Sequence, residues 1–350
     1  DGQWSVIAPS ARFDIEIEED LIEEVARVHG YDTLPASLPG GEISLSGISE
    51  REVPMGQMRD ELCAHGYFEA INYSFVDRRL LTALHMDDHV LALANPISSD
   101  MDVMRTSLLP GLLTSLRRNL RRQHHRVRLF ETGVAFIQKE TLEEHPRVAA
   151  VACGNALPEQ WDADKRAMDF FDLKNDVEAL LALRGPSDYE YRSADLPWLH
   201  PGQSALIYSN GQEVGWLGVM HPGVLADLDI KQQVLAFELD LDAIVIREIP
   251  YVKKISHFPS VRRDLAFLLP ESVKYDEVKQ CVKNIAGELL KDLLIFDVFS
   301  GQNVEKGYKS LAIGLILQDV SCTLTDEVVD SVMSRIIRAL TERLDAQHRG

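Results

Sequence analysis

Phe13, Ile15 and Ile17 alternate with Asp14, Glu16 and Glu18. This period-two pattern predicts a strand with one apolar and one wet face, Asp14 on the wet one. From Leu21 the period lengthens: Leu21, Val25 and Val28 recur at helical spacing, and Gly30 stands where a helix ends. Asp20 is expected at the N-cap of that helix and Glu23 three residues on, as a capping box. Arg27 is placed to pair with Glu23.

Leu34 to Gly41 is punctuated by proline, glycine and serine and reads as a linker, with a second boundary near residues 249–254. Domains are therefore expected at residues 1–40, 41–252 and 253–350. In the middle region the pattern predicts helices over 51–65, 108–123 and 169–183, the last closed by Gly185 and Pro186. It predicts strands over 68–75, 127–137, 205–208, 214–219 and 234–239. An α+β antiparallel sheet with helices against it follows. The last region reads strand 265–269, helix 275–286, strand 293–299, a polar turn over 301–307, strand 310–317 and helix 326–344. A short strand is available at 346–349, which completes a ferredoxin-like split βαβ unit.

At 350 residues and 45% hydrophobic content, the chain can bury two or three ordinary cores. No apolar run approaches a membrane span and no signal segment opens the sequence, so no membrane partner and a cytoplasmic location are expected. The start at Asp1, without an initiator methionine, suggests a portion of something longer. Cys63, Cys153, Cys281 and Cys322 stand far apart with no C-x-x-C pair, against both a zinc site and a disulfide framework. The net charge is −19, and residues 256–350 hold 12 basic against 14 acidic residues, so the acidic excess lies upstream. Such a chain disfavours indiscriminate nucleic-acid binding; any RNA contact must be local.

Two readings of the amino-terminal acids stay open. Asp20 and Glu23 are explained by capping, but Asp14 and Glu24 are not, and Asp20 and Glu24 are like charges four apart. A hard divalent cation such as Mg2+ would answer them; a solvated, capped helix is the simpler account. Arg105, Arg117, Arg118, Arg121, Arg122, Arg126 and Arg128 form the richest basic stretch. They fit phosphate gripping or, better in so acidic a chain, cover of a neighbouring acidic surface. His124 and His125, adjacent and pointing apart, read as surface residues. Asp169 and Asp172 read as servants of a helix N-terminus. No G-x-S-x-G, Walker, G-x-G-x-x-G or H-E-x-x-H motif occurs.

Three strings in order resemble one family, the beta subunit of bacterial phenylalanyl-tRNA synthetase. The first is Arg12-Phe13-Asp14-Ile15 with Asp20 to Arg27 and Gly30-Tyr31-Asp32. The second is Asn95 to Met101 with Met104 to Leu113 and Leu129-Phe130-Glu131-Thr132-Gly133. The third is Phe258 to Ala266. The resemblance covers nearly the whole chain. It implies the end of a metal-contributing module, a class II synthetase-like domain that has lost its ATP-handling residues, and a ferredoxin-fold anticodon-binding domain.

It also implies an α2β2 heterotetramer that attaches phenylalanine to tRNA(Phe) with ATP as substrate, the active site lying on the alpha subunit and no catalytic residue on this chain. By the same resemblance, Asp14, Asp20, Glu23 and Glu24 would bind Mg2+ shared with alpha, and Arg262 and Arg263 are candidates for tRNA binding. The family's accessory tRNA-binding and editing parts have no counterpart in these residues. The alternative is a stand-alone RNA-binding or regulatory protein on a synthetase-like scaffold.

Overall fold

The computed structural model describes residues 2, 4–37, 40, 49–185, 189–247, 249, 251–252, 255–301 and 304–349. The expected linker residues 38–39 and 41, Pro186, residues 250 and 253–254 of the second boundary, and 302–303 of the last polar turn lie outside the described residues. The chain divides into two compact units, Asp1–Glu248 and Ile249–Gly350.

The first unit begins with α1 (Glu18–His29), which buries none of its residues. Residues 13–17 form a turn at 13–14 and irregular backbone after it rather than the expected strand. The alternation there has no neighbouring strand among the described residues to complete a ladder, and isolated strands do not hold in water. There follow α2 (Met55–Ala64), β1 (Phe68–Glu69), β2 (Phe75–Val76), α3 (Arg78–Ala83), β3 (Val103–Met104) and α4 (Leu109–Arg121). Next come β4 (Val127–Gln138), β5 (Leu142–Cys153), α5 (Phe170–Ala182), β6 (Tyr189–Ser193), β7 (Leu199–Ser209) and β8 (Gln212–Met220). The unit closes with α6 (Pro222–Asp227), β9 (Leu235–Asp240) and α7 (Leu241–Val245).

The main sheet has the order β1-β4-β5-β9-β8-β7-β6 and is antiparallel except for the short β1·β4 pair. Both of its faces are covered. Val148, Ala150 and Ala152 of β5 pack with Met58, Leu62, Val177 and Leu180 of α2 and α5. Ala149, Val151 and Cys153 pack with Leu109, Leu112, Leu113 and Leu116 of α4. A strand buried on both sides loses its alternation and reads as an unbroken apolar run, so Val148–Cys153 carries no period-two signal.

The second unit contains β10 (Val261–Pro270), α8 (Tyr275–Ala286), β11 (Leu290–Phe299), β12 (Tyr308–Leu317), α9 (Asp326–Leu344) and β13 (Gln347–Arg349). Its sheet order, β11-β12-β10-β13, is the split βαβ arrangement expected from the pattern. Leu265, Phe267, Leu269, Ile313 and Leu315 bury one face against Val278 and Val282 of α8 and Val332 and Ile336 of α9. The other face has no helix of this unit over it.

Candidate functional sites

At the amino-terminal acids, Arg12 supplies the cation that Asp14 and Glu24 lack. Its Nε donates to Asp14 Oδ1 at 3.0 Å, and its Nη2 reaches Asp14 Oδ2 and Glu24 Oε1, each at 2.7 Å. Arg27 pairs with Glu24 at 2.5 Å, not with Glu23. Hydrogen bonds from Arg12 and then Arg27 hold the Glu24 carboxyl down to about 2. Arg12 likewise holds Asp14 below the usual carboxylate range.

Asp20 is not the N-cap. The helix starts at Glu18, so Asp20 occupies the third helical position and its Oδ2 accepts the backbone N–H groups of Glu16 at 2.8 Å and Ile17 at 3.0 Å. These bonds lower its pKa against the opposing charge of Asp14. Glu23 is exposed. Within this chain the four carboxylates do not converge: no group of three or more His, Cys, Asp or Glu among the described residues is arranged to hold a metal. Beside them Trp4, Ile7, Phe13, Ile22, Val25 and Val28 are exposed.

Most of the basic stretch is spent inside the first unit. Arg105 Nη1 pairs with Glu131 Oε1 at 2.6 Å, both side chains almost fully buried, and Arg105 Nε donates to the Val134 carbonyl at 2.9 Å. Asn72 Nδ2 donates to the second Glu131 oxygen at 2.6 Å. The glycines of the second string belong to the same construction. A Cβ at Gly133 would sit 2.4 Å from Arg105 Nη2, and one at Gly111 would sit 2.8 Å from Asn72 Cβ.

Arg128 donates to the carbonyls of His65 and Ala156, both at 2.9 Å, and lies 3.5 Å from Asp176 Oδ2. Asp176 also accepts the Tyr67 hydroxyl at 2.8 Å and stands 2.6 Å from His65 Nδ1. Arg117 donates to the Leu228 carbonyl, Arg121 pairs with Asp229, and Arg126 donates to the carbonyls of Asn155 and Ala156. Only Arg118 and Arg122 of the seven are left exposed without a partner among the described residues, so an arginine row covering a neighbour is cut to two. Asp169 and Asp172 form a reciprocal cap on α5: Asp169 Oδ1 accepts from the N–H groups of Phe171 and Asp172, and Asp172 Oδ2 from that of Asp169. All four cysteines are free thiols.

On the open face of the second sheet, Arg262 Nε donates to Asp264 Oδ1 at 2.8 Å, and the guanidinium lies 5.5 Å from the Phe296 ring centroid. Gly314 makes room for this pair, since a Cβ there would meet Asp264 Oδ1 at 3.0 Å and Arg262 Nη2 at 3.2 Å. Leu294, Phe296 and Val298 of β11 are exposed. Arg263 pairs instead with Asp326 at the start of α9, at 2.9 Å. The two arginines, adjacent on a strand, therefore have different surroundings. Phe296 was hidden in an apolar strand run; an aromatic in such a run next to a basic strand is the signal that would have found it.

The chain thus joins an antiparallel sheet sheathed by helices, in sequence, to a split βαβ unit whose open face carries Arg262 beside Phe296. Residues 34–241 match the family model of the phenylalanyl tRNA synthetase beta chain CLM domain, residues 256–349 that of the ferredoxin-fold anticodon binding domain, and residues 1–31 that of the tRNA synthetase B5 domain. The chain belongs to the phenylalanyl-tRNA synthetase beta-chain family.

Relatives named phenylalanine–tRNA ligase beta subunit include one from Xanthomonas euvesicatoria pv. vesicatoria, 47% identical over 97% of this chain and 43% of its own length. One from Xylella fastidiosa is 43% identical over 99% of this chain and 44% of its own. One from Pseudoalteromonas translucida is also 43% identical, over the same shares. The chain thus spans less than half the length of these curated relatives.

Proposed function

We propose that this chain is a non-catalytic part of a phenylalanine–tRNA ligase beta subunit, which supports the alpha subunit and holds tRNA(Phe) while phenylalanine is attached at the expense of ATP. The observation that carries the RNA role is the open sheet face on which Arg262 lies over Phe296. Aromatic rings and guanidinium planes stack on unpaired bases, and such a platform needs no large positive charge. Arg262 is therefore the stronger of the two arginine candidates; Arg263, engaged by Asp326, serves more through the backbone of β10. The scaffold role draws on exposed Phe68, Ile71 and Tyr73 beside the edge strand β1, apolar groups suited to burial against another subunit of a cytoplasmic α2β2 assembly. In that assembly residues 1–40, 41–252 and 253–350 act as metal-contributing, catalytic-like and anticodon-binding domains.

Asp14, Asp20, Glu23 and Glu24 would hold Mg2+ together with groups of alpha. The oxygen-only donor set suits a hard ion, and Asp14 and Glu24 already share a cation, the Arg12 guanidinium, but the four carboxylates do not converge within this chain, so the ion would need groups of alpha to complete its site. The ion would supply a hard positive charge that joins the two subunits, in the role that the Arg12 guanidinium has beside Asp14 and Glu24.

The test mixes the full-length chain with purified alpha subunit and tRNA(Phe). Light scattering should show association with alpha, and Asp20→Ala and Glu24→Ala should weaken it or its Mg2+ dependence more than Glu16→Ala does. Phe296→Ala should weaken tRNA binding roughly fivefold or more, as loss of one stacked base predicts. Failure to associate with alpha, with tRNA binding intact and steeply salt-dependent, would favour the stand-alone RNA-binding alternative.

A further inference from the structure

A cleft of about 590 Å3 opens between the end of α2, the start of β4, the irregular segment 154–168 and the first turns of α5. It lies in the first unit, its lining includes none of the amino-terminal acids, and none of the roles above uses it. Its size is that of a small-molecule pocket.

The lining carries an unbalanced cation. Arg126 is half-buried at the wall, and its guanidinium donates only to the carbonyls of Asn155 and Ala156, at 3.3 and 3.4 Å, with no ion pair among the described residues. Behind it the Nε of Arg128, in a side chain 7% exposed, is buried with no partner. Two guanidiniums thus stand close with unmet capacity, and burial together with the charge of Arg128 lowers the Arg126 pKa. An anion entering here would relieve that repulsion.

The walls fix the site. A Cβ at Gly154 would sit 2.2 Å from the His125 carbonyl, so only glycine lets the segment after β5 press against the residues that present Arg126. At Gly66 the backbone is left-handed, and a Cβ there would lie 3.5 Å from Arg126 Nη2, in ordinary contact with it.

The rest of the lining narrows the ligand. The Phe171 ring is 74% exposed at the rim of the cleft, held edge-on by Phe170. A large aromatic presented to solvent in the same cleft as a guanidinium without an ion pair among the described residues offers a stacking face for a ligand whose anion that guanidinium takes. Asn175 presents an exposed amide and Asp164 a carboxylate, whereas Asp169 caps α5 and lies 3.7 Å from Arg166, and Asp172 and Asp176 are engaged by Arg166 and Arg128. Simple inorganic anions would gain nothing from the ring and would be repelled by the rim carboxylates. A ligand joining a phosphate to a planar ring with N–H and O–H donors uses all three features.

We propose that this cleft binds a nucleoside monophosphate unit, its phosphate on Arg126, its base against Phe171 and its amino or hydroxyl donors on Asp164. The unit arrives either as a free nucleotide or as one residue of a single-stranded RNA; the chemistry is shared.

The experiment is photo-crosslinking of the full-length chain, mapped by peptide mass spectrometry. The probes are 8-azidoadenosine 5′-monophosphate and a 4-thiouridine-bearing tetranucleotide. Crosslinks are expected within residues 154–175, competed by unmodified nucleotide. Arg126→Gln and Phe171→Ala should each lower their yield at least tenfold, while Arg126→Lys retains a third or more and Arg192→Gln, on β6, retains all.

A tetranucleotide that competes at least tenfold better than the mononucleotides identifies the strand as the source; equal competition identifies the free nucleotide. Crosslinks that fall only elsewhere overturn the proposal. So do crosslinks in the cleft that persist undiminished in both variants, or that the phosphate-free nucleoside competes as well as the monophosphate. Circular dichroism of each variant, matched to the parent, ensures that a lost crosslink is a lost contact.

Discussion

Replacing Glu131 by alanine should unfold the first unit far more readily than replacing any surface acid. Arg105 and Glu131 retain 5% and 4% of their side-chain exposure, and their 2.6 Å contact is the only ion pair either makes among the described residues. Removing the carboxylate leaves a guanidinium with nowhere to reach water, and also strands the Asn72 amide that donated to the same group. Breaking a buried pair by deleting one partner costs about 3 to 5 kcal/mol, which is a large part of a domain's total stability.

Tryptophan fluorescence in urea is the assay. Trp4, Trp161, Trp198 and Trp216 all belong to the first unit, and the edge-to-face pair of buried Trp216 and partly buried Trp198 reports its core without interference from the second. With a slope of about 1 to 3 kcal/mol per molar urea, the midpoint should fall by more than about 1 M. The double replacement Arg105→Met with Glu131→Leu should recover much of the loss, because two apolar side chains leave no buried charge. Asp229→Ala, which breaks the exposed pair with Arg121 at a left-handed residue, should move the midpoint far less. A Glu131→Ala midpoint indistinguishable from that of Asp229→Ala, or a double variant no better than the single one, would refute the reasoning.

Further outcomes follow from individual residues. The Glu24 carboxyl should titrate by carbon NMR near 2 and rise towards its ordinary value in Arg12→Ala; since its folded pKa is depressed, the contribution to stability is present above the unfolded pKa, near 4.5, and fades as pH falls towards 2. Unchanged titration in the variant would show that Arg12 is not its partner. Gly154→Ala should cost about 2 to 4 kcal/mol, combining a left-handed backbone with a blocked Cβ, against about 1 kcal/mol for Gly211→Ala, where φ is also positive but space is open; equal urea midpoints would count against the close approach. Glu238, buried and accepting from Leu108 N–H and Ser107 Oγ, has its pKa raised by burial. Its stabilising protonated form is lost as pH rises through that folded value, so Glu238→Gln should flatten the decline in melting temperature from acid towards neutral pH.

Helices and strands whose apolar residues face one way were legible along the chain. The sequence period found α4, α5, β4, α8 and α9 within a few residues, and the second unit, wet on one face, in its strand order as well. Strand β5 was not legible, because its last six residues are buried on both sides and half of them are alanine, a residue that favours helices. The run over 13–17 had the converse fault, a perfect alternation with no partner strand.

Charge was the least legible feature. Residue types marked the acids of 14–24 and the arginines of 105–128 as chemistry in waiting, and three ordered strings identified the family. Tertiary structure alone decided which charges are spent. Arg105, distant in sequence from Glu131, is buried against it; Arg12 answers Asp14 and Glu24; Arg262 turns to Phe296 while its neighbour turns to Asp326. A helix or strand is set by periods of two to four residues, which local sequence carries. The partner of a charge is set by which segments the fold brings within 3 Å, and that depends on the whole sheet.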